Sequence, residues 1–218
     1  MKKTIIIGIF LPLLGATAFS QPLDKNKLDQ YFQALETNNK FMGSVAIAQN
    51  GKIVYAKSSG FSDVESKAKA DENTKYRIGS ISKTFTSALV FKAVEEGKLK
   101  LETTLDKYYP DIKNSKKIRI SDLLNHRSGI HNFTDDEEYL NWNTVVKSEK
   151  EMLEIIVKGG SDFEPDSKGE YSNSNYVLLS YILQKAYKKP YEELLNAKII
   201  KPLGLKNTYI GGKINPAK

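Results

Sequence analysis

An imbalance constrains this chain more than any single motif. β-type sequence is confined to the first third of its 218 residues, and helical sequence fills nearly all the rest. Residues 43–48 and 52–57 are β-type runs joined by Asn50-Gly51. That dipeptide is the strongest short-range hairpin signal, because both positions of a two-residue turn need positive φ. Upstream, Leu28, Tyr31, Phe32 and Leu35 recur at i, i+3, i+4 and i+7, so residues 23–38 read as an amphipathic helix. Downstream, residues 58–74 are polar and loop-like, and Tyr76-Arg77-Ile78 is a short extended piece. A hairpin alone is marginal in water, so either helices cover it or further strands lie beyond residue 218.

The helical part begins at Ser80. Residues 80–96 predict a long helix with Ile81, Phe85, Ala88 and Leu89 facing inward, stopped by Gly97. Ser121 is a candidate N-cap for a short helix, and Gly129 closes that region. Ser148-Glu149-Lys150-Glu151 forms a capping box ahead of Met152, Ile155 and Ile156. Residues 159–169 read as loop, 173–187 and 191–200 as helices, and Pro202-Leu203-Gly204-Leu205 as a turn.

The first twenty residues read as an address. Met1-Lys2-Lys3 is a positive n-region, an uncharged apolar run follows, and Ala18-Phe19-Ser20 precedes Gln21 as a cleavage site. The run falls short of the roughly 20 residues a bilayer span needs, and Pro12 interrupts it. A secretory signal peptide over 1–20, a mature chain from 21, and a periplasmic or secreted product are the expectations, with no stable membrane span after cleavage. The net charge of +7 falls to +5 without Lys2 and Lys3. The lysines are spread along the whole chain, which argues against a single nucleic-acid or polyanion patch. With no cysteine, disulfides, thiol catalysis and thiolate zinc sites are excluded. Two histidines, His126 and His131, would fall on different faces of a helix and leave little scope for a metal centre. Asp135-Asp136-Glu137-Glu138 reads as a solvated helix start.

What remains is serine–lysine chemistry. Ser-x-x-Lys at a helix start puts both side chains on one face, one turn apart. The helix N-terminus favours negative charge at the serine, and its N–H is free for a developing oxyanion. The lysine can take the hydroxyl proton if its pKa falls from about 10.4 to near 7, which costs roughly 4–5 kcal/mol. The pattern occurs twice, at Ser66-Lys69 in polar loop and at Ser80-Lys83 at a helix start; only the second can preorganise the pair, and a plain N-cap serine is the alternative there. Tyr-x-Asn also occurs twice. Tyr139-Leu140-Asn141 lies beside Trp142 in a predicted helix. Tyr171-Ser172-Asn173 enters one, where a phenol can relay protons and an amide can hold a carbonyl, or where Asn173 or Asn175 can simply cap.

The order of these segments carries a resemblance. Residues 76–86, Tyr-Arg-Ile-Gly-Ser-Ile-Ser-Lys-Thr-Phe-Thr, resemble the first motif of the serine β-lactamase and penicillin-binding superfamily. The closest branch holds class C β-lactamases, D-alanyl-D-alanine carboxypeptidases and related esterases. Residues 123–130 resemble its Leu-Leu-x-His-x-Ser-Gly segment, residues 169–176 its second motif, and residues 201–208 its Pro-Leu-Gly segment.

The resemblance implies an α+β fold: an antiparallel sheet flanked by helices, plus an all-helical region, with the active site between. It implies Ser80 as the acylated nucleophile, Lys83 as its activator, Tyr171 as general base and acid, Asn173 as the residue holding the substrate amide, and Ser80 N–H as half of an oxyanion hole. His126 would be structural. No metal or organic cofactor is implied. Candidate substrates are peptidoglycan peptides, β-lactams and small esters; a catalytically inactive cell-wall binding or sensor domain is the alternative. Two departures stand out. No Lys-Thr-Gly or His-x-Gly triplet follows Tyr171, so residues 21–218 are expected to be the N-terminal part of such a domain, with an incomplete sheet. An oxyanion donor lost with that strand would cost about 10²–10³ in rate. Lys188-Lys189-Pro190 also stands where the family has a helix-ending glycine.

Overall fold

The computed structural model describes residues 23–212. The expected leader at 1–20 and the last residues, 213–218, lie outside the described residues. The chain divides into two compact units between Thr74 and Lys75.

The first unit is a helix on a hairpin. Asp24 caps α1 (Lys25–Thr37) by accepting from the Lys27 N–H at 3.0 Å. β1 (Gly43–Gln49) pairs antiparallel with β2 (Lys52–Ser59) through Asn50 and Gly51, whose φ values of 51° and 73° are those of the expected turn. α1 covers this hairpin: the Tyr55 hydroxyl donates to Asp29 at 3.0 Å, Lys57 pairs with Asp29 at 3.3 Å, and the Phe32 ring stacks on Tyr55. The stretch expected to be loop holds a second ribbon, β3 (Phe61–Asp63) with β4 (Ala68–Lys69). Its turn is built by Asp63, which accepts from the N–H groups of Glu65 and Ser66, with Lys67 at φ 56°. Ser66 is thus a turn residue, and Lys69 pairs with Glu36 at 3.4 Å.

The second unit is helical. Tyr76-Arg77-Ile78 is not a strand; Ile78 turns at ψ 1° into a 3₁₀ turn over Gly79–Ile81, and only then does α2 (Ser82–Glu95) begin. Half of the predicted inward face holds: Leu89 is buried and Phe85 packs partly buried against the core. Thr86, Leu89, Val90 and Ala93 are buried, whereas Ile81 and Ala88 are exposed. Gly97 ends the helix at φ 68°. α3 (Ile120–Leu124) is not capped by Ser121: Arg119 precedes it, and its N–H, Nε and Nη2 all donate to Asp122. α4 (Tyr139–Trp142) follows the solvated acidic run. α5 (Glu149–Gly159) carries the predicted capping box, with Ser148 N–H donating to Glu151 at 2.8 Å. α6 (Asn173–Tyr187) has its predicted bounds. α7 (Tyr191–Leu195) widens into a π turn over Asn196–Ile200. Leu89, Val90 and Ala93 of α2 join Leu123 of α3 and Leu178, Leu179, Ile182 and Leu183 of α6 in a fully buried core. Each such leucine or isoleucine contributes about 1.5–3 kcal/mol by leaving water. Among the described residues no helix is long and apolar enough to cross a membrane. Helices with short antiparallel ribbons make the chain α+β, as expected.

Two segments are stitched together beyond α3. Asp166 N–H donates to Arg127 O, Asp162 N–H to Gly129 O and Glu170 N–H to His126 O, all between 2.8 and 2.9 Å. The Arg127 and Arg119 side chains close on Asp166. Gly129 has φ 76°, and a Cβ there would sit 2.0 Å from Phe163 O, so any side chain must push the two segments apart. Gly129→Ala is expected to lower stability by at least about 2 kcal/mol, read as a fall in Tm. Lys188 shows the opposite case. It ends α6 in the left-handed region, φ 54° and ψ 42°, where a β-carbon is unfavourable. Lys188→Gly is expected to stabilise by about 0.5–1 kcal/mol in denaturant titrations, the gain being reduced by glycine's freedom in the unfolded chain.

Candidate active site

The site forms where the opening turn of α2 meets the entry to α6. The 3₁₀ turn presents Ser80 to the surface instead of using it as a cap; neither that turn nor α2 has a side-chain cap bond. Lys83 lies one turn on, and its Nζ donates to Ser80 Oγ at 3.2 Å. The other two ammonium hydrogens go to Tyr171 Oη at 2.5 Å and Asn173 Oδ1 at 2.8 Å, so all three donors are engaged. Ser80 Oγ and Tyr171 Oη are 2.7 Å apart, and Tyr171 Oη lies 3.2 Å from Asn173 Oδ1. The four residues singled out from the sequence therefore form one hydrogen-bonded cluster.

Charge and burial act on Tyr171 in opposite senses. Partial burial raises its phenol. The hydrogen bond from Lys83, the bond with Ser80 and the ammonium charge outweigh that, and the net effect lies below the ordinary 10.0. Lys83 also sits over the Tyr171 ring at 4.7 Å and the Tyr176 ring at 5.6 Å.

Behind the phenol stands His126, at φ 57° and not on a helix. Its ring lies 4.7 Å from that of Tyr171 and 5.2 Å from that of Tyr176. Nδ1 accepts from Ser172 N–H at 3.2 Å and faces Asn175 Nδ2 at 3.3 Å. A nitrogen that accepts a backbone N–H carries no proton, so the ring hydrogen is on Nε2. Burial, together with the charge of Lys83, holds the imidazole below its ordinary range. His131 is elsewhere, with Nδ1 facing Asp162 and Nε2 facing Asp136. Tyr139 packs edge-on against Trp142, and its Tyr-x-Asn does not join the cluster.

Neither asparagine caps α6. Asn173 is spent on the cluster, and buried Asn175 accepts from Ser128 at 2.6 Å. Asn132 and Thr134, which sequence reading did not single out, hold the Asn173 amide: Nδ2 donates to Asn132 Oδ1 at 3.2 Å and to Thr134 Oγ1 at 3.0 Å. Their signal was faint, two polar residues flanking Phe133 a few positions beyond the His-x-Ser-Gly segment. An open cleft of about 780 Å³ runs from Ser80, Lys83 and Asn173 past Tyr176 and Ser180 to Tyr191. Among the described residues no His, Cys, Asp and Glu group is arranged to hold a metal.

A nucleophile-capable hydroxyl, a phenol held toward ionisation and a cation between them form a proton-handling set at an open cleft. A teichoic acid D-alanine hydrolase of Staphylococcus aureus is 35% identical over 182 residues, 84% of this chain and 43% of its own. The crystal structure of FmtA from Staphylococcus aureus superposes with a TM-score of 0.71 at 32% identity, covering 84% of this chain and 49% of that one. A D-amino acid amidase from Ochrobactrum anthropi SV3 gives 0.75 at 27% identity, over 86% of this chain and 52% of its own. The chain thus spans less than half the length of the curated relatives it matches. The Beta-lactamase family profile matches residues 28–218, and the chain belongs to the β-lactamase family.

Proposed function

We propose that this chain carries the nucleophilic centre of a serine hydrolase, acting outside the cytoplasm on D-aminoacyl esters or amides. The observation that carries the reading is the 2.7 Å contact between Ser80 Oγ and a Tyr171 phenol that Lys83 holds toward its anion. The acyl preference is supported by the teichoic acid D-alanine hydrolase and the D-amino acid amidase among the relatives.

In this reading Ser80 Oγ bonds to the substrate carbonyl carbon while its proton passes to the Tyr171 phenolate. Lys83 activates the serine by keeping phenol and hydroxyl in line and offsetting the negative charge. Ser80 N–H, in the opening turn, donates to the oxyanion. The tetrahedral centre collapses by breaking the bond to the leaving oxygen or nitrogen, which takes the proton from Tyr171. Water then gives a proton to Tyr171 and adds to the ester; the bond to Ser80 Oγ breaks as that oxygen takes the proton back from Tyr171, and the acid leaves. Asn173 lines the cleft where a substrate amide would lie, and its carbonyl seats Lys83.

Mass spectrometry after incubation with a fluorescent β-lactam or fluorophosphonate is expected to place one adduct on the peptide carrying Ser80. Ser80→Ala is expected to reduce labelling and hydrolysis of a D-alanyl ester by at least about 10³-fold. An unlabelled wild type that binds cell-wall polymer saturably would replace this reading with that of a binding module. Lys83→Met removes the hydrogen bond and the charge by which Lys83 lowers the Tyr171 phenol, and leaves the burial that raises it and the Ser80 bond that lowers it. A UV difference titration should then move Tyr171 upward from its wild-type position. Since the phenolate is the base, the rising limb of acylation against pH should move in the same direction.

A further inference from the structure

An asparagine side chain can be turned end for end with little change of shape, so nothing in Asn173 itself decides which end faces Lys83. The deciding contacts come from the segment before α4. Asn132 is only 8% exposed, and its Oδ1 accepts from the Asn173 backbone N–H at 2.9 Å as well as from Nδ2. Thr134 Oγ1 accepts from the same Nδ2. The two ends of Asn132 are themselves told apart by Asp135, whose Oδ1 accepts from Asn132 Nδ2 at 2.8 Å. Reversing Asn173 would set its carbonyl against the Asn132 carbonyl and its NH₂ against the Lys83 ammonium. Both contacts would then be unmatched at a part-buried site, where an unpaired polar group costs about 1–3 kcal/mol.

We propose that Asn132, oriented by Asp135 and assisted by Thr134, is a positioning residue that fixes the polarity of the Asn173 amide and so seats Lys83 between Ser80 and Tyr171. The relay runs from a carboxylate at the surface, through two amides, to the ammonium. Every link in it is a donor facing an acceptor. The relay itself stands on geometry alone; its effect on rate rests on the acyl-transfer reading given above.

Asn132→Asp keeps an acceptor for Asn173 but puts a carboxylate opposite Asp135. The swap Asn132→Asp with Asp135→Asn restores a donor facing an acceptor at that link. Two readouts are needed: the Tyr171 phenol, followed by NMR with ¹³Cζ-labelled tyrosine across a pH titration, and the single-turnover rate of Ser80 labelling by a fluorescent β-lactam. Asn132→Asp and Asn132→Leu are expected to raise the phenol toward its ordinary value and slow labelling by about 10–100-fold, as a small misplacement of a catalytic group does. The swap is expected to restore both. A merely structural Asn132 would lower Tm in these variants and leave the phenol where it is in the wild type, which would overturn the proposal. If Asn132→Leu does not fold, the single and swapped aspartate variants decide alone. If the wild type is never labelled, the hydrolase reading falls, and the phenol titration still upholds or overturns the role of Asn132.

Discussion

The three hydrogen bonds of the Lys83 ammonium are the contact on which the rest of the site depends. The partners lie in two stretches of backbone: Ser80 in the turn that opens α2, and Tyr171 and Asn173 at the entry to α6. Apolar packing of Leu89 and Val90 with Leu178, Leu179 and Ile182 brings the two helices together. Such packing is nondirectional and sets spacing without setting angles. The ammonium supplies the angles. It also explains why Ser80 stands outside the regular helix. A serine inside α2 could spend its hydroxyl on its own backbone, whereas in the 3₁₀ turn it is left to the lysine and the phenol.

Beneath this contact lies a polar layer. Ser128, Asn132, Ser174 and Asn175 are buried, and each has a named partner. Satisfied networks of this kind narrow the choice of native arrangement, because any other pairing strands a buried donor or acceptor. The His126 ring belongs to the same layer. It accepts from Ser172, the residue between Tyr171 and Asn173, and so fixes the joint on which both functional side chains turn.

Much of this was legible in the sequence where local chemistry decides the outcome. Asn50-Gly51 predicts its turn, Ser148 and Glu151 their capping box, and the loop setting of Ser66 against the helix entry at Ser80 picks the lysine pair that joins the cluster. Legibility failed where distant contacts decide. The β3–β4 ribbon rests on an Asp63 turn with Lys67 in a left-handed conformation, and no glycine or asparagine announces it. On α2, Ile81 and Ala88 carry hydrophobicity yet stay exposed, while the buried face takes in Thr86, whose hydroxyl meets that of Tyr191 at 2.7 Å. The entry to α3 was assigned to Ser121, but a bidentate Arg119–Asp122 pair does that work. Asn132 escaped notice because its partner is 41 positions away.

The stretch from Tyr171 to Asn175 has a consequence for how such a chain can vary. Residues 171 and 173 serve the cleft, while 172, 174 and 175 serve the buried layer, and no position between them is idle. A replacement on one side is transmitted to the other through a single peptide unit. Drift at one of these five positions must therefore be matched by change at a partner in residues 80–83 or 126–134 or be lost to selection. Immediately upstream, Ser167, Lys168 and Gly169 are exposed, and a β-carbon at Gly169 would meet nothing within 4 Å. The border between freely varying and fixed sequence should thus fall within about two residues of the phenol, sharper than any boundary drawn by secondary structure.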